Sequence, residues 1–335
     1  MKRLTSSMGL VIMVMMVVGE TTAHAVTLQV NCGGSRGLTS IGSALNLLKR
    51  FVNGGPNTIN VSGTCSENVA LYDLSHLTIT STTGASVTDP TGGAKPVFDI
   101  QRSQDVSVSD LSIWAPLLSS SGITAGNGDA AVSCTLASSC FLSNNSITSG
   151  TGDGVFVARS SSADISSGVI SDNAGRGIAA NLGSRAGVTG VTMNNNGSLT
   201  SSAQIRLYNH SSLQLRSSTI TNNTAYYGIR LTDNSSADIQ DDVISGNQSG
   251  GVSIEGGSEV SFYPSGSGTS ITGNTGGGVL VWDVSLAHFW GPVETGTSIT
   301  DKVSGNGGMD INCETGHAFA IGMVPTSGTT NCIAP

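Results

Sequence analysis

The sequence has 335 residues, with 14 Lys and Arg against 22 Asp and Glu, a formal net charge of −8 and only 11% charged residues. An acidic chain without a basic cluster cannot neutralise many phosphates, which argues against a nucleic-acid partner. The 45 glycines are interspersed with short Val, Ile and Leu runs. These runs argue against disorder, which accompanies low hydrophobicity and high net charge.

The first 25 residues are typical of a secretory signal. Lys2 and Arg3 precede an apolar run, and Ala23-His24-Ala25 follows it as a small-x-small cleavage pattern. The run is too short to cross a bilayer, and no later window approaches the roughly 20 apolar residues that a spanning helix needs. The sequence therefore predicts an exported protein without a transmembrane segment, located in the periplasm, outside the cell or on its surface.

The N-terminal segment, residues 26–58, contains the one helix signal. In residues 39–52 the apolar side chains recur at helical spacing, and Thr39 or Ser40 can act as N-cap. The apolar positions are Ile41, Ala44, Leu45, Leu48 and Val52. A membrane-surface helix is disfavoured because the segment is short and has only Lys49 and Arg50 as basic residues.

A repeat of 23 to 27 residues runs through the rest of the chain. Three columns of apolar residues keep the same spacing from one repeat to the next. Within a repeat, the short apolar stretch around each column residue is bounded by Gly, Asn, Ser or Asp, which predicts three short strands joined by tight turns. The first column is Val155, Ile178, Ile205, Ile229, Val252 and Val279. The second is Leu142, Ile165, Val188, Leu215, Ile239, Phe262 and Phe289, and the third is Ile147, Ile170, Met193, Ile220, Ile244 and Ile271.

One such unit cannot bury its own apolar face, so the units must stack with equivalent strands paired in parallel. The fold class expected is all-β, a single-domain parallel β-helix over residues 59–312 with three strands in each of about ten coils. Right-handedness is the default for parallel crossovers. Weaker strand signals at 59–61, 77–79, 97–100, 106–108 and 111–113 extend the solenoid towards the N-terminus. The helix in 39–52 is expected to cover the first open edge, and residues 313–335 the last.

Asparagines occupy one position of the repeat. Asn173, Asn196, Asn223, Asn247 and Asn274 each follow a third-column residue by three places, and Gly150 stands at this position one coil earlier. Asparagine tolerates a left-handed backbone, and identical amides one coil apart can hydrogen-bond along the stack. We interpret the row as an asparagine ladder at a turn.

The six cysteines suit an oxidising compartment, where an even number favours disulfides. Fifteen pairings are possible, and the local ones are favoured: Cys32 with Cys65, Cys134 with Cys140, and Cys313 with Cys332. A metal site is the alternative, but no Cys-x-x-Cys is present and the histidines form no matching cluster.

The coil of about 23 residues, the turn phrase N-x-x-x-G-I, the N-terminal helix and the leader together resemble the right-handed parallel β-helix proteins of the pectin-lyase-like superfamily. This fold hosts lyases, hydrolases, epimerases, tail-spikes and non-catalytic surface proteins, so it predicts function poorly. What the resemblance implies most consistently is contact with polysaccharide.

Alternation along the strands directs the residues one and three places after the first column to solvent. Arg206 and Arg230 would then lie on adjacent coils and could clamp carboxylates of an acidic glycan, while aromatic rings stack on sugars. The predicted substrate-binding set is Arg206, Tyr208, Arg230, Asp233, Glu255, Trp282 and Asp283, with His210 at a neighbouring turn. The alternative is a solvated sheet face on which arginines prevent self-association.

A second outward column contains a more mixed set of side chains, which points less clearly to one binding site. It contains Asp164, Gly187, Gln214, Asp238, Ser261 and His288, flanked by Arg216, Tyr263 and Trp290.

No complete catalytic motif is present. In a β-eliminating lyase, Arg206 or Arg230 could be the base, with Glu255 and Asp233 neutralising or binding a cation. The carboxylate cluster of calcium-dependent pectate lyases is missing. Gln240-Asp241-Asp242 and Gly316-His317-Ala318 echo two motifs of the hydrolases with this fold, but the companion motifs are absent, and we interpret Asp241 and Asp242 as solvated turn residues.

The sequence therefore favours a protein that binds extracellular or cell-envelope polysaccharide. The alternatives are a lyase or glycoside hydrolase acting on acidic polysaccharide, with the lyase favoured, and a structural or adhesive surface protein. No cofactor is indicated, although a lyase could use calcium.

Overall fold

The computed structural model describes residues 25–51, 55–115, 130–148, 152–197, 203–221, 226–263, 265–290, 301–314, 318–322 and 330–332. The predicted signal, Val52, Gly150, Asn223, Gly316 and His317 lie outside these residues. Within these residues one helix, α1 (Ile41–Phe51), lies between the first two strands of an otherwise all-β chain.

Ten strands form one parallel sheet, called here the ten-stranded sheet. They are β3 (Val69–Tyr72), β6 (Phe98–Gln101), β9 (Val132–Thr135), β11 (Val155–Ala158), β13 (Ile178–Asn181), β16 (Ala203–Leu207), β19 (Tyr227–Leu231), β22 (Gly250–Ile254), β25 (Val279–Val281) and β28 (Ile311–Cys313). Since each strand pairs with the equivalent strand of the next coil, the described chain makes about nine turns, close to the number expected.

The other strands form a nineteen-stranded sheet with two strands per coil, which are continuous in some coils. They are β1 (Val26–Cys32), β2 (Asn57–Ser66), β4 (Ser75–Thr80), β5 (Ser86–Thr88), β7 (Gln104–Ser109), β8 (Ser112–Trp114), β10 (Ser139–Thr148), β12 (Ser162–Ser171), β14 (Arg185–Thr189), β15 (Thr192–Asn194), β17 (Ser212–Arg216), β18 (Thr219–Thr221), β20 (Ser236–Gln240), β21 (Val243–Ser245), β23 (Glu259–Phe262), β24 (Ser270–Thr272), β26 (Leu286–Phe289), β27 (Lys302–Ser304) and β29 (Phe319–Gly322).

The strand register confirms all three apolar columns. Val155 pairs with Ile178, Leu142 with Ile165 and Ile147 with Ile170, and the pairing continues residue for residue along each predicted row. The side chains of these columns are almost fully buried and form one continuous core. The parallel β-helix architecture therefore follows from the sequence period, because each coil must bury its apolar residues against the next.

Helix α1 closes the N-terminal end of this core. Ile41, Ala44, Leu45 and Leu48 are buried against the first strands, as their spacing predicted. The Ser40 hydroxyl accepts a hydrogen bond from the Ser43 amide, which confirms Ser40 as the N-cap. In addition, the Glu67 carboxylate accepts hydrogen bonds from the amides of Ile41 and Gly42, a favourable place for a negative charge.

Strand pairing reaches further at both ends than residues 59–312. Strand β1 pairs with β2 along its whole length, and β29 pairs with β26. The three disulfides are the local ones favoured from sequence, Cys32–Cys65, Cys134–Cys140 and Cys313–Cys332. Across the part of the chain that the structure describes, no helix has the length and apolarity to span a membrane.

The asparagine ladder is confirmed, with one correction to its geometry. The side chain of Asn196 accepts a hydrogen bond from the side-chain amide of Asn173 at 2.8 Å, and Asn274 accepts one from Asn247 at 2.9 Å. Asn306 extends the row by one coil. The expected left-handed backbone at the ladder asparagines is wrong, because the residue before each one adopts it: Asp172, Asn195, Gly246 and Gly273. The ladder amides instead point inward and satisfy buried turn amides.

A second ladder, of serines, was not identified from the sequence. After the first member, each hydroxyl accepts a hydrogen bond at 3.1–3.4 Å from the backbone amide of the serine one coil earlier. Its members are Ser103, Ser138, Ser161, Ser184, Ser211, Ser235, Ser258 and Ser285, all at most 2% exposed. Because buried backbone donors require partners, this row fixes the turn that leaves the ten-stranded sheet.

A third, shorter ladder contains carboxyl groups and corrects the interpretation of Asp242. Asp242 is fully buried rather than solvated, and its two oxygens accept hydrogen bonds from the Ser218 and Gln240 amides. Asp301 accepts one from the Thr269 amide two coils further along the same row. Burial raises the pKa of Asp242 to about 7 and that of Asp301 to about 6.

Because the pKa values of Asp242 and Asp301 are raised in the folded protein, we expect their contribution to stability to fall as pH rises. Between about pH 4 and 7 the folded chain retains protons that the unfolded chain has released, so the free energy of unfolding decreases across this window. Asp301→Asn keeps an acceptor for Thr269 and removes the buried charge. We expect it to flatten the decrease and to stabilise the protein by about 1–2 kcal/mol at pH 7, within the limit of about 1.4 kcal/mol per pKa unit.

Thermal unfolding between pH 4 and 8 measures this effect. Asp238→Asn, at an exposed carboxylate, is the matched control and should leave the pH profile unchanged. Identical pH profiles for Asp301→Asn and the wild type would show that Asp301 is not a buried titrating group.

Candidate functional site

The outer face of the ten-stranded sheet brings together the two arginines that the sequence singled out. Arg206 on β16 and Arg230 on β19 are partners in the parallel register, with both side chains on the outer face. Parallel pairing places equivalent residues about 4.8 Å apart, so two like charges are adjacent here. How each charge is compensated decides what this face can bind.

Arg230 is paired. Its Nε and Nη2 atoms donate to the two oxygens of Glu255 at 2.9 and 2.7 Å, and Ser253 Oγ donates to the same carboxylate at 2.7 Å. Burial alone would raise the pKa of Glu255, but the hydrogen bonds from Arg230 and Ser253 outweigh it and lower that pKa. The Arg230 guanidinium is therefore neutralised within the protein, in the bidentate geometry that a ligand carboxylate would otherwise take.

Arg176, one coil before Arg206, is paired in the same way. Its Nε and Nη2 atoms lie 2.8 Å from the two oxygens of Asp153, whose side chain is only 4% exposed. The Arg176 backbone amide donates to the same carboxylate at 2.7 Å. Burial would lower the pKa of Arg176, but Asp153 outweighs it and raises that pKa.

Arg206 lies between these two pairs and forms no ion pair with any described carboxylate. Its Nε is one of two buried side-chain polar atoms without a hydrogen-bond partner among the described residues. Its guanidinium carbon lies 5.2 Å from the centroid of the Tyr208 ring. Burial, and then the charges of Arg176 and Arg230, lower the pKa of Arg206. Among the described residues, the site therefore contains one partly buried cation without an ion pair, whose charge is only partly offset by Glu255.

Aromatic rings frame these cations. The guanidinium carbon of Arg176 lies 5.7 Å from the Tyr208 ring centroid, so one ring contacts two arginines. Tyr227 contacts Arg230 at 5.9 Å, and Tyr226 lies beside it with its ring 39% exposed. Such rings hold guanidinium groups in place through cation–π contact and offer flat apolar surfaces to a ligand.

The other predicted binding residues lie at the edge of this group. Asp233, Asp283 and His210 are exposed at turns, where each adopts a left-handed backbone. Asp233 is close enough to raise the pKa of Arg230 further, whereas the Asp283 amide donates to Glu314 on the next coil. Trp282 lies one coil beyond Glu255 and is partly buried, without a described contact to the arginines.

Two site residues were missed from the sequence, Asp153 and Arg176. Each stands two places before a first-column residue, Val155 or Ile178. The outward positions predicted from the sequence were only those that follow this column, and the same alternation along the strand applied to the preceding positions identifies both residues.

The same face is covered over the strands just before Arg206, which corrects another expectation. Phe156, Ala158 and Ala179 point away from the main core as predicted, yet they are at most 6% exposed. With Ala130 they form a small separate apolar cluster. The covered part of this face, from β9 to β13, ends at Arg206, and the outward side chains of β3 and β6 are again at least partly exposed.

Residues of the second outward column form separate contacts on different coils rather than one group. Arg185 pairs with Asp164 at 2.9 Å, but both side chains are nearly half exposed and the pair adds little stability. Tyr263 and Trp290 stack with parallel rings 5.7 Å apart, and the His288 ring lies 3.8 Å from that of Trp290. No described cation of this column is buried, in contrast to Arg206.

The carboxylates around Arg206 do not fit a calcium site. Asp153 and Glu255 each bind an arginine through both oxygens, so neither offers a free oxygen pair to a cation. The one close group of potential metal ligands among the described residues is Cys32, Cys65 and Glu67. Its two sulfurs are joined in a disulfide, which excludes it as a ligand set.

Residues 130–289 match a family model described as a right handed beta helix region. Together with the parallel register, this match identifies the fold as a right-handed parallel β-helix, and it is consistent with the resemblance to the pectin-lyase-like superfamily. All the predicted binding residues lie within the matched region. A search of curated proteins gave no match.

The two kinds of arginine predict opposite effects on stability. Arg176→Gln leaves the buried Asp153 carboxylate without its cation and should destabilise the protein by about 3 kcal/mol. Arg206→Gln removes a cation that burial and two neighbouring arginines disfavour, so we expect unchanged or increased stability. Thermal and urea unfolding of both variants measure the difference.

Arg216→Gln, at an exposed arginine on the other sheet, is the control and should have no effect. Destabilisation of Arg206→Gln to the level of Arg176→Gln would mean that Arg206 is a structural residue.

Proposed function

We propose that this protein is exported and binds anionic polysaccharide on the outer face of the ten-stranded sheet, with Arg206 as the main contact. The observation that carries the proposal is the uncompensated Arg206 cation between two compensated ones. An unpaired, partly desolvated charge costs stability, and such residues are characteristic of binding sites. An anionic group of a ligand would supply the missing partner.

The surroundings of Arg206 favour a carbohydrate as the carrier of that anion. Tyr208 lies against the guanidinium and Tyr226 offers an exposed ring nearby, as in sites where sugars stack on aromatic faces. The face is built on paired strands, which gives a rigid and extended surface suited to a linear polymer. Three disulfides suit an oxidising compartment, where such polymers occur.

Binding to immobilised acidic polysaccharides tests the proposal. The wild type should retain an acidic glycan that Arg206→Gln binds at least about tenfold more weakly, as expected from the loss of one charge-assisted contact. Arg216→Gln has the same change in net charge but lies on the other sheet, so it should bind like the wild type.

Two results would contradict the proposal. Equal binding by wild type and Arg206→Gln would place the site elsewhere on the molecule. Absence of binding to any acidic polysaccharide would favour the structural or adhesive alternative.

A second candidate function is β-elimination, favoured by the lowered pKa of Arg206. The neutral guanidine can act as the base that takes the proton from C5 of a uronate. The C4–C5 double bond forms as the bond to the oxygen at C4 breaks, and the leaving oxygen takes up a proton from water. Incubating the protein with acidic polysaccharides should then release unsaturated uronate, detected by its ultraviolet absorbance. This product should be absent with Arg206→Gln and present with Arg216→Gln, and binding without any product from the wild type would exclude the lyase function.

A further inference from the structure

The charge balance of the site limits how many anionic groups it can accept. The three guanidinium groups of Arg176, Arg206 and Arg230 face the two carboxylates of Asp153 and Glu255. Both carboxylates are bound through both oxygens. One positive charge remains, on Arg206.

We propose that the site selects glycans whose anionic groups are isolated among neutral sugars, and that it discriminates against polymers with a charge on every sugar. This inference rests on the proposed function and specifies its ligand. Among the described residues the site offers one unpaired cation for one anionic group, because the neighbouring Arg176 and Arg230 are already paired.

The outer face on the C-terminal side of the arginines repels further anions. The outward side chains of the next coils are Ser253, Glu255, Leu280 and Trp282, and Asp283 and Glu314 follow at turns. A second ligand carboxylate on this side would approach Glu255, a like charge. It would meet no cation in the two outward columns, defined as the positions one and three places after the first apolar column.

On the N-terminal side the two outward columns likewise contain no cation in the two coils before Arg206, and the exposed Arg159 lies at a turn two coils away. Here the outward columns contain Ala179, Asn181, Phe156 and Ala158, which are buried and uncharged. A carboxylate held over these side chains would lose water without gaining an ionic partner. Both directions along the helix axis therefore favour uncharged sugars next to the one bound at Arg206.

Glu255 controls this selectivity, because it neutralises Arg230. Replacing it with Gln would release the Arg230 guanidinium and raise the net charge of the group by one. The variant should therefore accept two neighbouring anionic groups. Glu259→Gln changes the net charge of the protein equally at an exposed position on β23 and is the matched control.

The test uses two series of polymers in which only the charge density varies. One series is polygalacturonate with graded methyl esterification, and the other is glucuronoxylan before and after reduction of its carboxyl groups. We expect the wild type to bind sparsely charged members of a series at least about tenfold more tightly than fully charged polygalacturonate, and not to bind uncharged members. Glu255→Gln should gain at least about tenfold in affinity for polygalacturonate, while Glu259→Gln should not.

The outcomes separate this inference from the proposed function. If wild-type affinity rises steadily with charge density and depends on Arg206, the binding function stands and the selectivity is refuted. If binding is the same for charged and uncharged members, or absent throughout, both are refuted. Circular dichroism and thermal unfolding of Glu255→Gln establish whether it is folded. If it is not, the affinities of the wild type for sparsely and fully charged polymers decide the inference by themselves.

Discussion

The alignment of each coil on the next is the constraint on which this structure depends. Strands pair in parallel, so equivalent residues must recur at the same position of every coil. At the turns, where strands cannot supply partners, buried backbone amides donate to side chains of the following coil. Rows of Ser, Asn and Asp provide these acceptors along the axis. The polar, repetitive composition is therefore a structural requirement of the fold, since an unpaired buried amide costs about 1–3 kcal/mol.

The same alignment creates the electrostatic problem at the candidate site. Outward residues of adjacent coils are held side by side, so arginines at equivalent positions repel one another. Asp153 relieves this repulsion at Arg176 and Glu255 at Arg230, while Arg206 forms no ion pair with any carboxylate that the structure describes. A charge that folding leaves uncompensated in a rigid frame is preorganised for a ligand, because binding requires no rearrangement of the strands.

The compensated arginines are also the basis of the proposed selectivity. Two bidentate ion pairs fix the guanidinium planes on either side of Arg206, and Tyr208 lies against two of the three cations. The buried Phe156 cluster and the acidic turns border the site on opposite sides along the axis. In the proposed binding mode, rigidity, a single unpaired cation and a border without further unpaired cations together favour a defined anionic group over a general polyanion.

The sequence by itself determined the coil, the three apolar columns, the asparagine row, the capping helix and the disulfide pairs. The coil, the columns and the asparagine row follow from a period that repeats in every coil and is independent of side-chain conformation. The helix follows from the helical spacing of its apolar residues, and the favoured disulfide pairs from their closeness in the chain. Only the tertiary structure decided that Asp242 points into the core and that Glu255 pairs with Arg230 rather than Arg206. It also showed that Asp153 and Arg176 complete the site. These outcomes depend on side-chain reach between positions 23 to 25 residues apart, and on the direction of single side chains at turns, which the period does not specify.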